Sequence, residues 1–561
     1  MARRFLVTAA LPYSNNRLHV GHIAGAYLPA DIYVRYLRAC GHEVRFICGS
    51  DDNGVAIEIS ALQENTTPDQ IARRYHDRQE RDFADLGIEF DVYGGTHHPD
   101  YVALHERLSQ EFFRRIHDKG YFVKRRTRQL YDPQAGRFLP DRFVRGTCHH
   151  CGFEQATGDQ CETCGQMIEP LLLKNPVSVI TGRPAEIRET THWFLRLREF
   201  EAPLRAWLES KQGQWRPHVL NFALGQIRQG LPERSMTRDL TWGVPVPLDD
   251  PDAQGKVLYV WFDAPIGYMS FTAAWCARHE GDWQAYARWW SDPDTAIVHF
   301  IGEDNTVFHA LTWPAMLMAD GRHQLPTAVV ANNYLNLRIG GELRKISKST
   351  TAPDAPVWIE EYIRKGLDPD ALRYYLTSQA PETARTAFDP DDFVTRNNAE
   401  LVAALGNFVH RALTFAARYF DGRVPDAAAR TSADAAQLAG AERTLAQVGR
   451  CLAEHRFRAG LEEAMAFART CNEYFSIRAP WASRKDNLPD CAATIATCIH
   501  AIQFLAVLCW PFMPRAALRL RHMLGLPQEP PRWEPPPPLP SGHRLGEPAI
   551  LFAKLEPGAL G

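Results

Sequence analysis

Residues 4–48 constrain the fold more than any other stretch. Arg4-Phe5-Leu6-Val7-Thr8-Ala9-Ala10 is a short apolar run that reads as a buried strand. After the loop Pro12–Arg17, the residues Ile23, Tyr27, Ala30, Val34 and Leu37 fall on one helical face, and Pro29 is expected to kink that helix. Glu43–Cys48 reads as a second strand, ending at Ser50-Asp51-Asp52-Asn53-Gly54. Strand, helix and strand in this order form the unit of an α/β, doubly wound parallel sheet, Rossmann-like in type. In such sheets ligands bind beyond the carboxyl ends of the strands, where the His19 loop and Asp51 both fall.

A chain of 561 residues is too long for one core, and about three to five structural units are expected. A net charge of −3 argues against a broadly basic coat, so any RNA must meet local basic and aromatic patches. The run Phe5–Leu11 follows Arg3 and Arg4 but has no small-residue cleavage site, so it reads as a strand and not as a signal peptide. The longest apolar stretch, Phe504–Met513, is shorter than the roughly 20 residues that span a bilayer. It reads as a core helix ended by Pro511 and Pro514. Of twelve cysteines, eight are scattered in apolar surroundings, with no disulfide scaffold implied. The expectation is a cytoplasmic chain with no membrane partner.

The pattern divides the chain further. Residues 1–115 and 231–325 are expected to form two halves of a nucleotide-binding domain, and 116–230 an insertion. Sheet character returns at Leu258–Trp261 and Ala296–Ile301. Within 326–391, the strand Thr327–Ala331 leads to a hairpin turning at Gly340-Gly341, which presents Lys345-Ile346-Ser347-Lys348-Ser349 on a loop. Residues 392–530 are expected to be helical, and 531–561 a stiff, proline-rich tail.

Three constellations carry chemistry. His19-Val20-Gly21-His22 sits where a strand hands over to a helix, whose free N–H groups and positive end attract phosphate. Gly21 lets a nucleotide approach the backbone. Lys345 and Lys348 are suited to closing over a polyphosphate and neutralising charge in a transition state. Cys148-x-x-Cys151 and Cys161-x-x-Cys164 have the spacing of a four-thiolate zinc site. With no open ligand position, that zinc, one per chain, reads as structural.

The first two segments resemble the HIGH and KMSKS signatures of class I aminoacyl-tRNA synthetases, with Val20 and Ile346 as apolar replacements. Ala10-Leu11-Pro12-Tyr13, the run Tyr259–Tyr268, and Phe308-His309 with Trp313-Pro314 closely resemble the methionyl-tRNA synthetase family, over essentially the whole chain. The resemblance implies that Leu11, Tyr13, Trp261, Ala264, Pro265, Tyr268 and His309 line a methionine slot. A thioether suits such aromatic walls. It implies that Asp51 holds the α-ammonium group and that Gly302 and Asp304 meet the adenosine beside His19, Gly21, His22 and Lys348. It further implies an all-α anticodon-binding domain reading tRNA(Met), the initiator included, through Asn407, Arg411 and Trp481.

The implied reaction is methionyl-adenylate formation from ATP, accompanied by magnesium, then transfer to the tRNA 3′ end. His19, His22, Lys345 and Lys348 are its catalytic residues. Many relatives carry His where this chain has Asn53, to which no role is carried over. The run Lys124-Arg125-Arg126-x-Arg128 is either an acceptor-arm contact or a solvated face. No appended oligomerising module is seen, and a monomer is expected. A synthetase for isoleucine, valine, leucine or cysteine is opposed by the 259–268 segment and by the lack of a long editing insertion. A non-catalytic RNA-binding relative is opposed by His19, His22, Asp51 and Lys348 standing together.

Overall fold

The computed structural model describes residues 3–158, 161, 163, 164, 168–339, 341–344 and 357–560. Lys345 and Lys348, with the rest of the 345–349 loop, lie outside the described residues. Five strands form one sheet: β1 (Arg4–Ala9), β2 (Glu43–Ser50), β3 (Val92–Gly95), β4 (Thr295–Gly302) and β5 (Ala328–Asn332). Their order is β5-β4-β1-β2-β3, and every pairing is parallel. Phe5 to Ala9 are all buried because helices cover both faces of a central parallel strand. The winding reverses between β1 and β4, so the ligand crevice opens beyond Ala9 and Gly302.

The helix after the His19 loop has three joined parts: Val20–His22, a π-helical turn Ile23–Tyr27, and Leu28–Ala39. Pro29 lacks an N–H, and its ring crowds the carbonyl four residues back. The expected kink therefore takes the form of a widened π turn just ahead of it.

One expectation is corrected. In the run Leu258–Trp261 only Val257–Leu258 is strand, and Val260–Glu280 is a 21-residue helix. Phe262 to Ala274 are buried without interruption, so this helix has no polar stripe from which a helical period could be read.

In the insertion, Phe122–Asp132 pairs antiparallel with Glu186–Leu195. A smaller sheet sets Val144–Thr147 between Ala156–Thr157 and Lys174–Ser178. Its own small core contains Leu130, Phe143, Val144, Cys148 and Cys161. Residues 197–230, grouped with the insertion by sequence pattern, pack into the main core through Phe200, Leu204, Leu208, Val219 and Ile227. Leu335–Ile339 and Glu342–Arg344 form the expected hairpin, with Gly341 at φ +87°.

From Pro390 to Met523 the described elements are helices. Leu488–Cys509 is long and apolar enough to cross a bilayer, yet 94% of its apolar window is buried inside the protein. At the base of this bundle Arg373, 1% exposed, pairs with Asp31 at 2.7 Å and donates to the carbonyl of Phe512 at 2.9 Å. Asp31 also pairs with Arg35 at 2.8 Å. Burial works against the Asp31 carboxylate, but the two arginines outweigh it and hold its pKa below the ordinary range.

The proline-rich terminus does not stand apart as a stiff tail. Trp533 donates its N–H to the Ala39 carbonyl at 2.9 Å and meets Tyr36 edge-on. His500 and Gln503 each donate to a proline carbonyl, those of Pro536 and Pro537, at 2.9 Å. Proline cannot donate from its backbone but still accepts, so at Pro536 and Pro537 the strap is held by side chains of the bundle. Asn398 exchanges two hydrogen bonds with Leu555, and Lys365 Nζ reaches the Leu560 carbonyl at 2.7 Å.

Candidate active site and RNA-binding face

The loops beyond β1 and β2 are stitched together. The Asp51 N–H donates to the Pro12 carbonyl at 2.8 Å, and the Ser14 N–H to that of Asp51 at 3.0 Å. Tyr13 and Asp51 thereby face each other as a bridge.

His19 caps its helix. The Gly21 N–H donates to His19 Nδ1 at 3.1 Å, and the His19 N–H to His22 Nδ1 at 3.2 Å. The two rings stack at 3.7 Å. An Nδ1 that accepts is unprotonated, so both neutral imidazoles carry their proton on Nε2. Two stacked N–H donors at a helix start have the chemistry to meet an anion. On the far side of the 345–356 segment the chain returns to this loop. The Val20 N–H donates to the Val357 carbonyl at 3.1 Å, and the Ile359 N–H to that of Leu18 at 3.1 Å. The Arg17 guanidinium lies 4.3 Å from the centre of the Trp358 ring.

A cluster of buried acids lies beyond β2. Asp51, Asp52 and Asp263 are each 3% exposed or less. Burial first, then Asp263 and Asp52, push the Asp51 carboxyl well above the usual range. Asp52 accepts from Ser50 Oγ at 2.5 Å and from the His97 N–H at 3.0 Å, and Trp242 donates to its carbonyl at 2.7 Å. Asn53, which sequence reasoning left without a role, donates to Asp263 Oδ2 at 2.6 Å. Its carbonyl oxygen lies 3.3 Å from His97 Nδ1. Asn53, His97, His105, Trp242 and Asp263 were all missed from sequence. Asp263 lies inside the Tyr259–Tyr268 segment, but partners 210 positions apart leave no local signal.

The aromatic residues assemble around the first turns of the helix Val260–Glu280. Trp261 stacks on Phe308 at 3.7 Å, nearly parallel. Ala264 and Pro265 are buried one turn on, and Leu11 is close enough to Gly267 that a Cβ there would lie 3.1 Å from its Cδ1. Tyr268 Oη lies 3.0 Å from His309 Nε2, and His309 Nδ1 lies 3.2 Å from the Asn305 carbonyl. A carbonyl only accepts, so Nδ1 carries the proton and Tyr268 donates to Nε2. Burial depresses the His309 pKa to about 4, keeping the ring neutral. Beyond β4, Gly302 opens the turn Glu303–Asn305, where a Cβ would stand 2.8 Å from Asp304 Oδ1.

In the insertion the four cysteine sulfurs all lie within 4.8 Å of one another, with Cys148–Cys164 at 4.0 Å and Cys151–Cys161 at 3.6 Å. A tetrahedral site with Zn–S bonds of about 2.3 Å has S–S edges of about 3.8 Å, so the quartet fits zinc. The His150 N–H donates to Cys148 Sγ at 3.4 Å, and Gly152 turns at φ +81°.

At the helical end, Asn407 and Arg411 share a face of the helix Asn407–Tyr419. The Arg411 guanidinium lies 4.7 Å from the Phe475 ring and 5.7 Å from that of Trp481. Trp481 is 47% exposed, a large share for a tryptophan. In the basic run of the insertion, Lys124 pairs with Asp250 and Asp252, Arg125 with Glu233 and Arg126 with Glu189, which favours the solvated-face alternative.

Two family descriptions match the chain: class I tRNA synthetases of the methionine group over residues 5–413, and the anticodon-binding domain of methionyl tRNA ligase over 424–559. The methionine–tRNA ligase of Pyrococcus furiosus is 44% identical over 98% of this chain and 75% of its own length. That of Salinibacter ruber is 44% identical over 99% and 80%. Among solved structures, Mycobacterium tuberculosis methionyl-tRNA synthetase bound by methionyl-adenylate superposes with a TM-score of 0.80 at 27% identity, over 98% of this chain and 100% of that one.

Proposed function

The chain belongs to the methionyl-tRNA synthetases, class I enzymes that ligate methionine to tRNA, and from that premise we propose how its residues divide the work. ATP lies across the carboxyl ends of β1 and β4. Gly21 and Gly302 admit it, Asp304 meets its ribose, and the Nε2–H groups of His19 and His22 meet its phosphates. Lys345 and Lys348 close over the departing pyrophosphate. Magnesium bound with ATP would supply further neutralisation of phosphate charge.

Methionine lies with its ammonium group at Asp51 and its side chain among Leu11, Tyr13, Trp261, Ala264, Pro265, Tyr268 and His309. The hydrogen-bonded pair Tyr268 and His309 faces the thioether. Its carboxylate attacks the α-phosphorus, releasing pyrophosphate, and the 3′-terminal ribose hydroxyl of tRNA(Met), the initiator included, then attacks the acyl carbon of the adenylate, taking the methionyl group as AMP leaves. The protein supplies position and charge, not a covalent intermediate. Asn407, Arg411 and Trp481 read the anticodon, Trp481 by stacking. Cys148, Cys151, Cys161 and Cys164 would hold one zinc per chain, which would brace the insertion. The working form is a cytoplasmic monomer with a catalytic part in two halves, an insertion, a stem-contact region and a helical end.

The observation that carries this reading is the meeting of the His19–His22 donors, the Asp51 acids and the Tyr268–His309 pair at one end of one sheet. The test is amino-acid-dependent exchange of pyrophosphate into ATP. Methionine is expected to stimulate it. Stimulation by another amino acid alone removes the specificity, and none at all removes the catalytic assignment.

A further inference from the structure

We propose that Asp263 is a second carboxylate of the ammonium site, sharing recognition of methionine's α-amino group with Asp51. The inference rests on the reading that Asp51 meets that amine.

Asp263 stands in the first turn of the helix Val260–Glu280, the turn that also brings Trp261 and Ala264 to the pocket, and it is 1% exposed. Its two oxygens are treated differently. Oδ2 accepts from Asn53 Nδ2 at 2.6 Å and lies 3.4 Å from His105 Nε2. Oδ1 is equally buried and has no hydrogen-bond partner among the described residues. Native folds rarely leave a buried carboxylate oxygen so, and a ligand donor is one of the few remedies. The Asn53 side chain thus ties Asp263 to the loop that carries Asp51, and the Asn53 N–H donates to Asp51 Oδ1 at 3.3 Å. After burial itself, the Asp263 charge does most to push the Asp51 carboxyl above its usual range. An α-ammonium brings three N–H donors and one positive charge, and a single carboxylate cannot use them all. Placed between Asp51 and Asp263, it satisfies Oδ1 and relieves the repulsion between the two acids.

The test uses the full chain and three ligands: L-methionine, L-methioninol, which keeps the amine and lacks the carboxylate, and 4-(methylthio)butanoate, which lacks the amine. Their dissociation constants are measured by calorimetry or by competition in the exchange assay. Asp263→Asn is expected to weaken methionine and methioninol by one common factor of about tenfold or more, and to leave the butanoate and the KM for ATP unchanged. A loss shared by all three ligands, or methionine binding within about twofold of wild type, overturns the proposal. If Asp263→Asn does not fold, Asn53→Ala replaces it. That variant keeps the charge but releases Oδ2, and a loss confined to the two amines is again expected. A loss shared by the butanoate, or no loss, again overturns it. Asp51→Asn is measured in parallel. If it leaves the preference for amines intact, the Asp51 reading on which the proposal rests is the part that fails.

Discussion

The two ends of the molecule handle polar groups in opposite ways. At the carboxyl end of the sheet, Asp51, Asp52, Asp263, His299 and His309 are nearly inaccessible, and most are held by named partners. At the helical end, Asn407 and Trp481 are exposed, and Arg411 is braced by rings more than by hydrogen bonds. The first arrangement discriminates by desolvation, where a mismatched group pays a penalty inside low dielectric. The second discriminates by stacking and charge offered to a partner that arrives hydrated. The same substitution should therefore cost more at the sheet, and the costs should fall on different steps.

The largest expected effect is at the buried acid. Asp51→Asn should lower kcat/KM for methionine in pyrophosphate exchange by about 10³-fold, or about 4 kcal/mol, while leaving tRNA affinity unchanged. A comparable loss of tRNA binding breaks the separation of the two ends. Next comes acid. The folded His309 pKa of about 4 lies below the unfolded value near 6.5. The unfolded chain therefore takes up the proton first as pH falls, and stability is lost from about pH 6.5 down to about 4. Other buried histidines act in the same direction, including His455, depressed to about 3, so His309 is isolated by comparison with His309→Gln. Urea unfolding at pH 7 and pH 4 should show the wild type losing about 3 kcal/mol more than the variant.

Trp481→Ala should weaken tRNA(Met) by about 2 kcal/mol, roughly 30-fold, in a filter-binding titration, with methionine-dependent exchange unaltered. Exchange falling in step with binding makes Trp481 a structural residue of the whole chain. The smallest effect sharpens the sheet end. Arg17→Ala removes the cation from the Trp358 ring and loosens the Val357 anchor. The KM for ATP should rise about fivefold, near 1 kcal/mol, and an unchanged KM means that this anchor does not act on the nucleotide.

Much of the sheet end was legible in sequence because its signals are local. The apolar run of β1 and the His19–His22 spacing each fall within a few residues, as does each Cys-x-x-Cys pair of the insertion. What stayed hidden was non-local or lacked a period. The helix Val260–Glu280 is buried on every side, so its opening residues read as strand. The Asn53–Asp263 bond joins two loops that only the folded sheet brings together. The terminal strap shows its prolines in sequence, while its binding partners His500, Gln503 and Asn398 belong to helices made earlier. Asn407, Arg411 and Trp481 came from family resemblance alone, since exposed residues carry no burial pattern of their own.

β1 pairs on one side with β2, but on the other with β4, so Arg4 lies opposite Thr295. During synthesis the centre of the catalytic sheet is thus a naked edge until some 290 further residues have been made. At about 5–20 residues per second that interval is roughly 15–60 s. Throughout it a largely apolar strand offers unpaired backbone to any neighbour. The connectivity that opens the crevice between β1 and β4 also commits each nascent chain to a long wait, in which a strand destined for burial stands open to adhesion.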